Sequence, residues 1–194
     1  MECAKKVRLF VTSAALLLIT SCTSTTFSSV WKDETYQGQP EKIMVVAITR
    51  GLAERRLFED AVVRNVKKRG AEAIASYPMM QDISRANQET IDAQAEVLGA
   101  DAVLTSRVTG TETNTWQAPA ALYEDNYTDI QTSLYEVKTH RLIWTATTRT
   151  WQREDMSDVY GIRSVVRRIT NKMSQQGLLK PEPPDIADEE KVRD

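Results

Sequence analysis

Cysteine and histidine are nearly missing from this sequence: Cys3, Cys22 and a single His140 in 194 residues. That excludes a disulfide-stapled scaffold and the Cys- and His-rich sets that hold structural zinc. A nucleophilic triad would have to use His140, and no serine, aspartate or second ligand is spaced to serve it. The seven glycines stand singly, so there is no phosphate-cradling loop. No basic excess exists either, with 25 Lys and Arg against 27 Asp and Glu, which argues against a nucleic-acid partner. No apolar run reaches the about 20 residues of a membrane-spanning helix, and no internal repeat is visible. Nothing in these absences calls for a metal, a cofactor or a small-molecule substrate.

What is present begins at the N-terminus. Lys5, Lys6 and Arg8 form a basic leader, and Leu9–Ile19 is an apolar stretch of 11 residues. Small residues follow, in the three-part layout of an export signal. Ile19-Thr20-Ser21-Cys22 resembles the bacterial lipobox. The resemblance implies cleavage before Cys22, a thioether-linked diacylglycerol on its sulfur and a further acyl chain on its new amino group. One acyl chain partitions only marginally, at about 10⁴ per molar, so two or three make the anchoring stable. The residue after the cysteine is Thr23 and not Asp, which in two-membrane bacteria goes with forwarding to the outer membrane. The signal takes three of the 25 basic and one of the 27 acidic residues, which leaves 22 against 26 in the exported part. With Cys3 removed and Cys22 acylated, that part holds no free thiol.

The sequence divides into a signal peptide (1–21), a lipidated tether (22–40), one domain (41–179) and a disordered tail (180–194). The Ser/Thr run Thr23–Ser29 has linker composition, although Trp31 and Tyr36 suggest a leader that lies down on the domain. Ile43–Ile48 is a continuous apolar run, the profile of a strand covered on both faces. Leu52–Arg69 places Leu57, Phe58, Ala61, Val62 and Val66 on one helical stripe, with Gly70 as its stop. On its outer side Arg55–Glu59, Arg56–Asp60 and Asp60–Arg64 are spaced as exposed pairs of about 0.2–0.5 kcal/mol each. Glu72–Ser76 reads as a strand, Asn87–Leu98 as a helix capped by Gly99, and Asp101–Val108 as a strand. Tyr127–Val137 and Arg141–Trp151 form a hairpin around Lys138-Thr139-His140, where His140 suits a positive-φ position. Facing Val137 with Arg141 sets Leu134 opposite Trp144 and Ile130 opposite Thr148 on a core face. Tyr135 with Ile143, Ser133 with Thr145 and Asp129 with Arg149 then share a half-solvated face. A last helix, Ser157–Gln176, carries Val159, Ile162, Val166, Ile169 and Met173 inward. Arg163, Arg167, Arg168 and Lys172 lie on its solvated side. The order β-α-β-α-β-β-β-α predicts an α/β fold, helices packed on a mixed sheet of about five strands.

Two stretches carry a resemblance in fold. Val97-Leu98-Gly99-Ala100-Asp101-Ala102-Val103-Leu104 and the hairpin from Leu134 to Trp144 are similar to the α/β domain shared by the N-terminal part of the Tol translocation protein TolB and the curli-secretion lipoprotein. Ser29-Val30-Trp31-Lys32-Asp33, Tyr36-Gln37-Gly38 and Leu57-Phe58-Glu59-Asp60-Ala61 resemble a group of small bacterial lipoproteins of unknown function, over about residues 29–179. The resemblance implies an envelope location and no particular activity.

The expected function is therefore a non-enzymatic binding or assembly accessory. Cys22 would hold it to the periplasmic face of the outer membrane, with the membrane and another envelope protein as partners. Gly110–Asn126, 17 residues without periodicity, reads as a long loop, either a cover folded over the sheet or a binding site with Trp116, Leu122 and Tyr123 as candidate partner-binding residues. Its polar composition argues against bilayer-spanning strands, and so against a pore. Two other functions are kept open. One is a hydrolase of envelope polymer using a carboxylate pair such as Glu59/Asp60, Asp125/Asp129 or Glu154-Asp155/Asp158, facing across a cleft. The other is a component of a secretion assembly.

Overall fold

A computed structural model describes residues 23–49, 51–119, 121–153 and 158–183. The signal segment, Cys22 and residues 184–194 lie outside them. The strands are Thr23–Lys32 (β1), Lys42–Ile48 (β2), Glu72–Ala75 (β3), Ala102–Ala118 (β4), Ala121–Glu136 (β5) and Leu142–Arg153 (β6). The helices are Leu52–Lys68 (α1), Gln88–Val97 (α2) and Asp158–Gln175 (α3). All six strands form one mixed sheet in the order β1-β6-β5-β4-β2-β3. β2 runs parallel to β3 and β4, and the remaining pairs are antiparallel.

Alternation along β2 decides the layers. Ile43, Val45 and Ala47 point to α1 and α3, where they meet Phe58, Val62, Val66, Val166, Ile169 and Met173. Met44 and Val46 point the other way, to Ala95 of α2, Ala100, Val103 and Val137. A strand buried on both faces has to be apolar throughout, as Ile43–Ile48 is. Leu57 departs from the expected stripe and stays exposed. Gly70, Gly99 and Gly177 take positive φ just beyond the three helices, the conformation glycine adopts without a Cβ penalty. Between α2 and β4, the Asp101 carboxylate accepts the amides of Glu41 (2.7 Å) and Lys42 (2.9 Å) and so holds the start of β2.

The hairpin register agrees with the alternation on both sides: Leu134 faces Trp144, Ile130 faces Thr148, Ser133 faces Thr145 and Asp129 faces Arg149. One rung differs. A bulge at Leu134/Tyr135 sets Tyr135 opposite Leu142, so Ile143 joins Trp144 in the core and does not stand beside Tyr135. Trp144 is fully buried and its indole N–H donates to Gln176 Oε1 at 2.7 Å.

Three expectations fail. Thr23–Ser29 is not a free tether, because β1 pairs with β6 as the sixth strand. Its threonines suit a half-buried edge. Buried Thr25 bonds Thr150 at 3.0 Å and donates to Ser164 of α3 at 2.8 Å, and Phe27 and Val30 pack on the core. Gly110–Asn126 is not a loop either: β4 and β5 pair from Ala102↔Glu136 out to Ala118↔Ala121, with Pro119 in the turn. The outer ribbon shows no apolar alternation because it lacks a core to face. Its β-branched Thr111, Thr113, Thr115 and Thr128 still favour extended backbone. Residues 180–183 are ordered against the domain, where Glu182 accepts Arg69 Nη2 at 2.5 Å and Ser174 donates to the Lys180 carbonyl at 2.8 Å.

Arg55 and Glu59 are also not an exposed pair, being 1% and 0% exposed. Glu59 Oε1 accepts from Arg55 Nε (2.9 Å), the Ala47 amide (3.0 Å) and Ser76 Oγ (3.0 Å), and Oε2 accepts the Tyr77 amide (2.9 Å). Arg55 donates in turn to Ser76 Oγ and to the Met80 carbonyl. Their spacing of four is that of a surface pair, but this side of α1 lies over the ends of β2 and β3. Glu59→Gln leaves a buried guanidinium without its counter-charge, so it should destabilise the fold by about 3–5 kcal/mol. Urea denaturation monitored by circular dichroism will show this as a lower midpoint at unchanged slope.

Candidate functional site

The α2-side face of the sheet is only half covered. α2 sits over β2 and the start of β4, while the inner part of β4–β5–β6 has no helix above it. The groove between them has a volume of about 510 Å³, within the size range of binding pockets. Ile48, Ile91, Val103 and Leu142 supply its apolar surface, and Tyr135 adds a half-exposed ring.

Its polar groups are held in place by neighbours. Arg107 of β4 donates to Gln131 Oε1 of β5 through Nε (3.0 Å) and Nη2 (2.8 Å), which lays the guanidinium across a sheet rung. Ser133 and Thr145 join hydroxyls at 2.9 Å, and Thr145 donates to the Thr132 carbonyl at 3.2 Å. Asn87 caps α2 by accepting the Thr90 amide at 2.9 Å, and Thr90 Oγ1 accepts the Asn87 amide in return. At the rim, His140 Nδ1 lies 2.9 Å from Asp92 Oδ2. An apolar surface with a fixed cation and hydroxyls can seat an apolar side chain beside a carboxylate or carbonyl of a partner.

Beyond the groove the same face continues along the ribbon. Arg149 of β6 grips Asp129 with two bonds of 3.0 Å, reaches Glu112 at 3.2 Å and lies over the Tyr127 ring at 5.6 Å. It thereby locks β4, β5 and β6 together on a face that no helix covers, while Thr148 and Thr150 on either side of it are buried toward α3.

The candidates from sequence fall as follows. Trp116 and Tyr123 stand on adjacent strands and stack, ring centroids 4.6 Å apart and planes at 18°. Asp125 accepts the Trp116 indole N–H at 3.1 Å. Leu122 pairs with Gln117, one rung on and therefore on the opposite face. These three form the outer end of the hairpin, well away from the groove. His140 has φ of 54°, as its turn position predicts, and Tyr36 packs on the core while Trp31 stays exposed. Of the carboxylate pairs, Glu59 is consumed in the interior, and Asp125 and Asp129 are held by Trp116 and Arg149. Glu154 and Asp155 lie outside the described residues, and so does the Asp158 side chain. Among the described residues, no three His, Cys, Asp or Glu side chains come together to hold a metal. Sequence reading missed Arg107, Gln131 and Asp92. The alternation of β5 puts Gln131 on the half-solvated face with Ser133 and Asp129, whereas the face of Arg107 is set by its pairing with Gln131 and the approach of α2 to the 137–140 turn is purely tertiary.

The fold and site describe a three-helix, six-stranded mixed α/β domain with a groove on its half-covered face. Neither a protein-family model nor a curated protein sequence matches the chain. Among solved structures it is similar to the PelC dodecamer from Paraburkholderia phytofirmans, at 15% identity over 78% of this chain and 94% of that chain, with a TM-score of 0.45. It is also similar to lipoprotein GNA1162 from Neisseria meningitidis, at 14% identity over 70% of this chain and 99% of that one, with a TM-score of 0.47. A minor lipoprotein from Acinetobacter baumannii follows, at 10% identity, 72% and 95% coverage and a TM-score of 0.41.

At the His140 turn, glycine would remove a left-handed strain of about 1–2 kcal/mol and lose a rim contact with Asp92 of about 0–1 kcal/mol. His140→Gly should therefore leave the thermal midpoint unchanged or raise it. A clear drop by calorimetry would mean that the His140–Asp92 contact braces α2.

Proposed function

We propose that this protein is a non-enzymatic binding accessory of the bacterial envelope, anchored through acyl chains on Cys22 at the periplasmic face of the outer membrane. On this reading it holds another envelope protein in the groove between α2 and the sheet. The observation that carries it is the groove itself: an open apolar surface whose guanidinium, hydroxyls and imidazole are braced by Gln131, Thr132 and Asp92. Preformed polar groups beside apolar area give a partner orientation as well as affinity. The carboxylate lining the groove is Asp92, engaged with His140, and glycosidic acid–base chemistry needs two carboxylates facing each other. That favours binding over polymer hydrolysis.

Two measurements test the reading. Cys22→Ala should abolish incorporation of labelled palmitate and cleavage before residue 22; processing between Ser21 and residue 22 in that variant would remove the anchor. A photo-crosslinker at Gln131, used in intact cells, should capture one envelope protein. The pair R107E and Y135A should reduce that capture at least tenfold, with thermal unfolding within a few degrees of the parent. Unchanged capture would move the binding surface elsewhere.

A further inference from the structure

We infer that the outer end of the β4–β5 hairpin, Trp116 to Tyr123, is a second membrane contact that inserts into the headgroup layer beside the lipid anchor. The inference rests on the anchoring of Cys22 proposed above and asks what that anchoring does to a domain of this shape.

The first observation is that almost no slack separates anchor from domain. Cys22 is bonded to Thr23, which puts their Cα atoms about 3.8 Å apart, and Thr23 already pairs with Gln152 of β6. Two residues further on, Thr25 is buried and bonded to Thr150 and to Ser164 of α3. Acyl chains on Cys22 therefore draw this end of the sheet onto the bilayer, with no flexible spacer to hold it away.

The second observation is which end of the sheet that is. The rung that starts with Thr23 runs through Gln152 and Asn126 to Thr113. β4 and β5 continue past it in the direction in which β1 leaves toward Cys22. Trp116 and Tyr123 form the rung three residues farther out and Ala118↔Ala121 the rung five farther out. At about 3.3 Å per residue these lie about 10 Å and about 16 Å beyond the rung of Thr23, and so at least about 6 Å and about 12 Å beyond Cys22. The polar headgroup region is about 5–8 Å deep on each side of the hydrocarbon. A hairpin that overreaches the anchor by this much meets the bilayer unless the sheet lies nearly flat on it.

The third observation is that the residues there have the required chemistry. Residues 116–123 read Trp-Gln-Ala-Pro-Ala-Ala-Leu-Tyr, without a charge, in a ribbon whose inner part carries Glu112, Glu124, Asp125 and Asp129. Trp116 (50% exposed) and Tyr123 (43%) stack on one face and Leu122 (65%) stands on the other, so the end of the ribbon presents apolar side chains from both of its faces. Tryptophan and tyrosine are the side chains enriched at membrane interfaces, where the ring is in apolar surroundings and the N–H or O–H in polar ones. Trp116 has that division here, with its ring on Tyr123 and its N–H on Asp125. The acidic residues set the depth, since strands carrying Glu112, Glu124 and Asp125 would not enter the hydrocarbon.

The test uses L122C in the lipidated chain, where the Cys22 sulfur is blocked by lipid and Cys3 has left with the signal. The single thiol is labelled with an environment-sensitive fluorophore, and the protein is reconstituted into vesicles of phosphatidylethanolamine and phosphatidylglycerol. We expect a blue shift and strong quenching by lipids carrying a nitroxide near the headgroup. The same label at V97C, at the opposite end of the sheet, should stay water-like and unquenched. The unlipidated C22A chain carrying L122C is the second arm. If Cys22 is acylated by intact mass and the Leu122 label remains water-like, the hairpin contact is wrong and the anchor stands. If acylation is absent but the label in C22A still enters the vesicles, the anchor is wrong and the hairpin contact stands. Failure in both arms removes both.

Discussion

Glu59 sends its carboxylate into the interior where α1 crosses the ends of β2 and β3, and both oxygens are used there by Arg55, Ser76 and the amides of Ala47 and Tyr77. A buried carboxylate is tolerated without water here because both of its oxygens accept hydrogen bonds, three on Oε1 and one on Oε2. The consequence reaches past the pair itself. It fixes how far α1 slides along the sheet, which sets the packing of Phe58, Val62 and Val66 on β2 and the seat of α3 beside it. A purely apolar contact would be less directional. Four hydrogen bonds onto one side chain allow a single arrangement of helix and strands.

At the other end of α1, Arg69 makes a related link. Its guanidinium reaches Asn65, Asn171 of α3 and Glu182 past the last helix, so the start of the charged tail is fastened to both helices. Among buried side-chain atoms of the described residues, Arg69 Nε is left without a partner. The covered face of the sheet is thus fixed by buried polar contacts at both ends of α1. That rigidity passes through Thr25 and Ser164 to β1. It is why the N-terminal strand, from Thr23 onward, acts as part of the domain.

The half-covered face has the opposite character. α2 is short and covers only the β2 and β4 side, so the polar residues of the antiparallel strands remain available to a partner. Farther out, the ribbon survives without a core because cross-strand bonds replace burial, chiefly Arg149 to Asp129 and Glu112, and Thr113 to Asn126 at 2.8 Å. A groove near the middle and an uncharged tip at the end divide one continuous face into two regions of different chemistry.

Periodicity along the chain determined the helices, their apolar stripes, their glycine stops, the doubly buried β2 and the hairpin register at Leu134↔Trp144, because each is set by residues within one or two turns or rungs. The positive φ at His140 was legible for the same local reason. Polar strands were not: β1 and the outer parts of β4 and β5 are rich in threonine and show no apolar alternation, so composition reads them as linker and loop. Only pairing with strands far away in sequence makes them β-structure. Burial of Arg55 and Glu59 was likewise undecidable from a spacing of four, which serves a surface pair and a buried one equally well. Which side of a helix is covered, which strand ends lie beneath it, and on which rung of the sheet Thr23 stands relative to the hairpin tip depend on segments remote in sequence, and those only the tertiary structure decided.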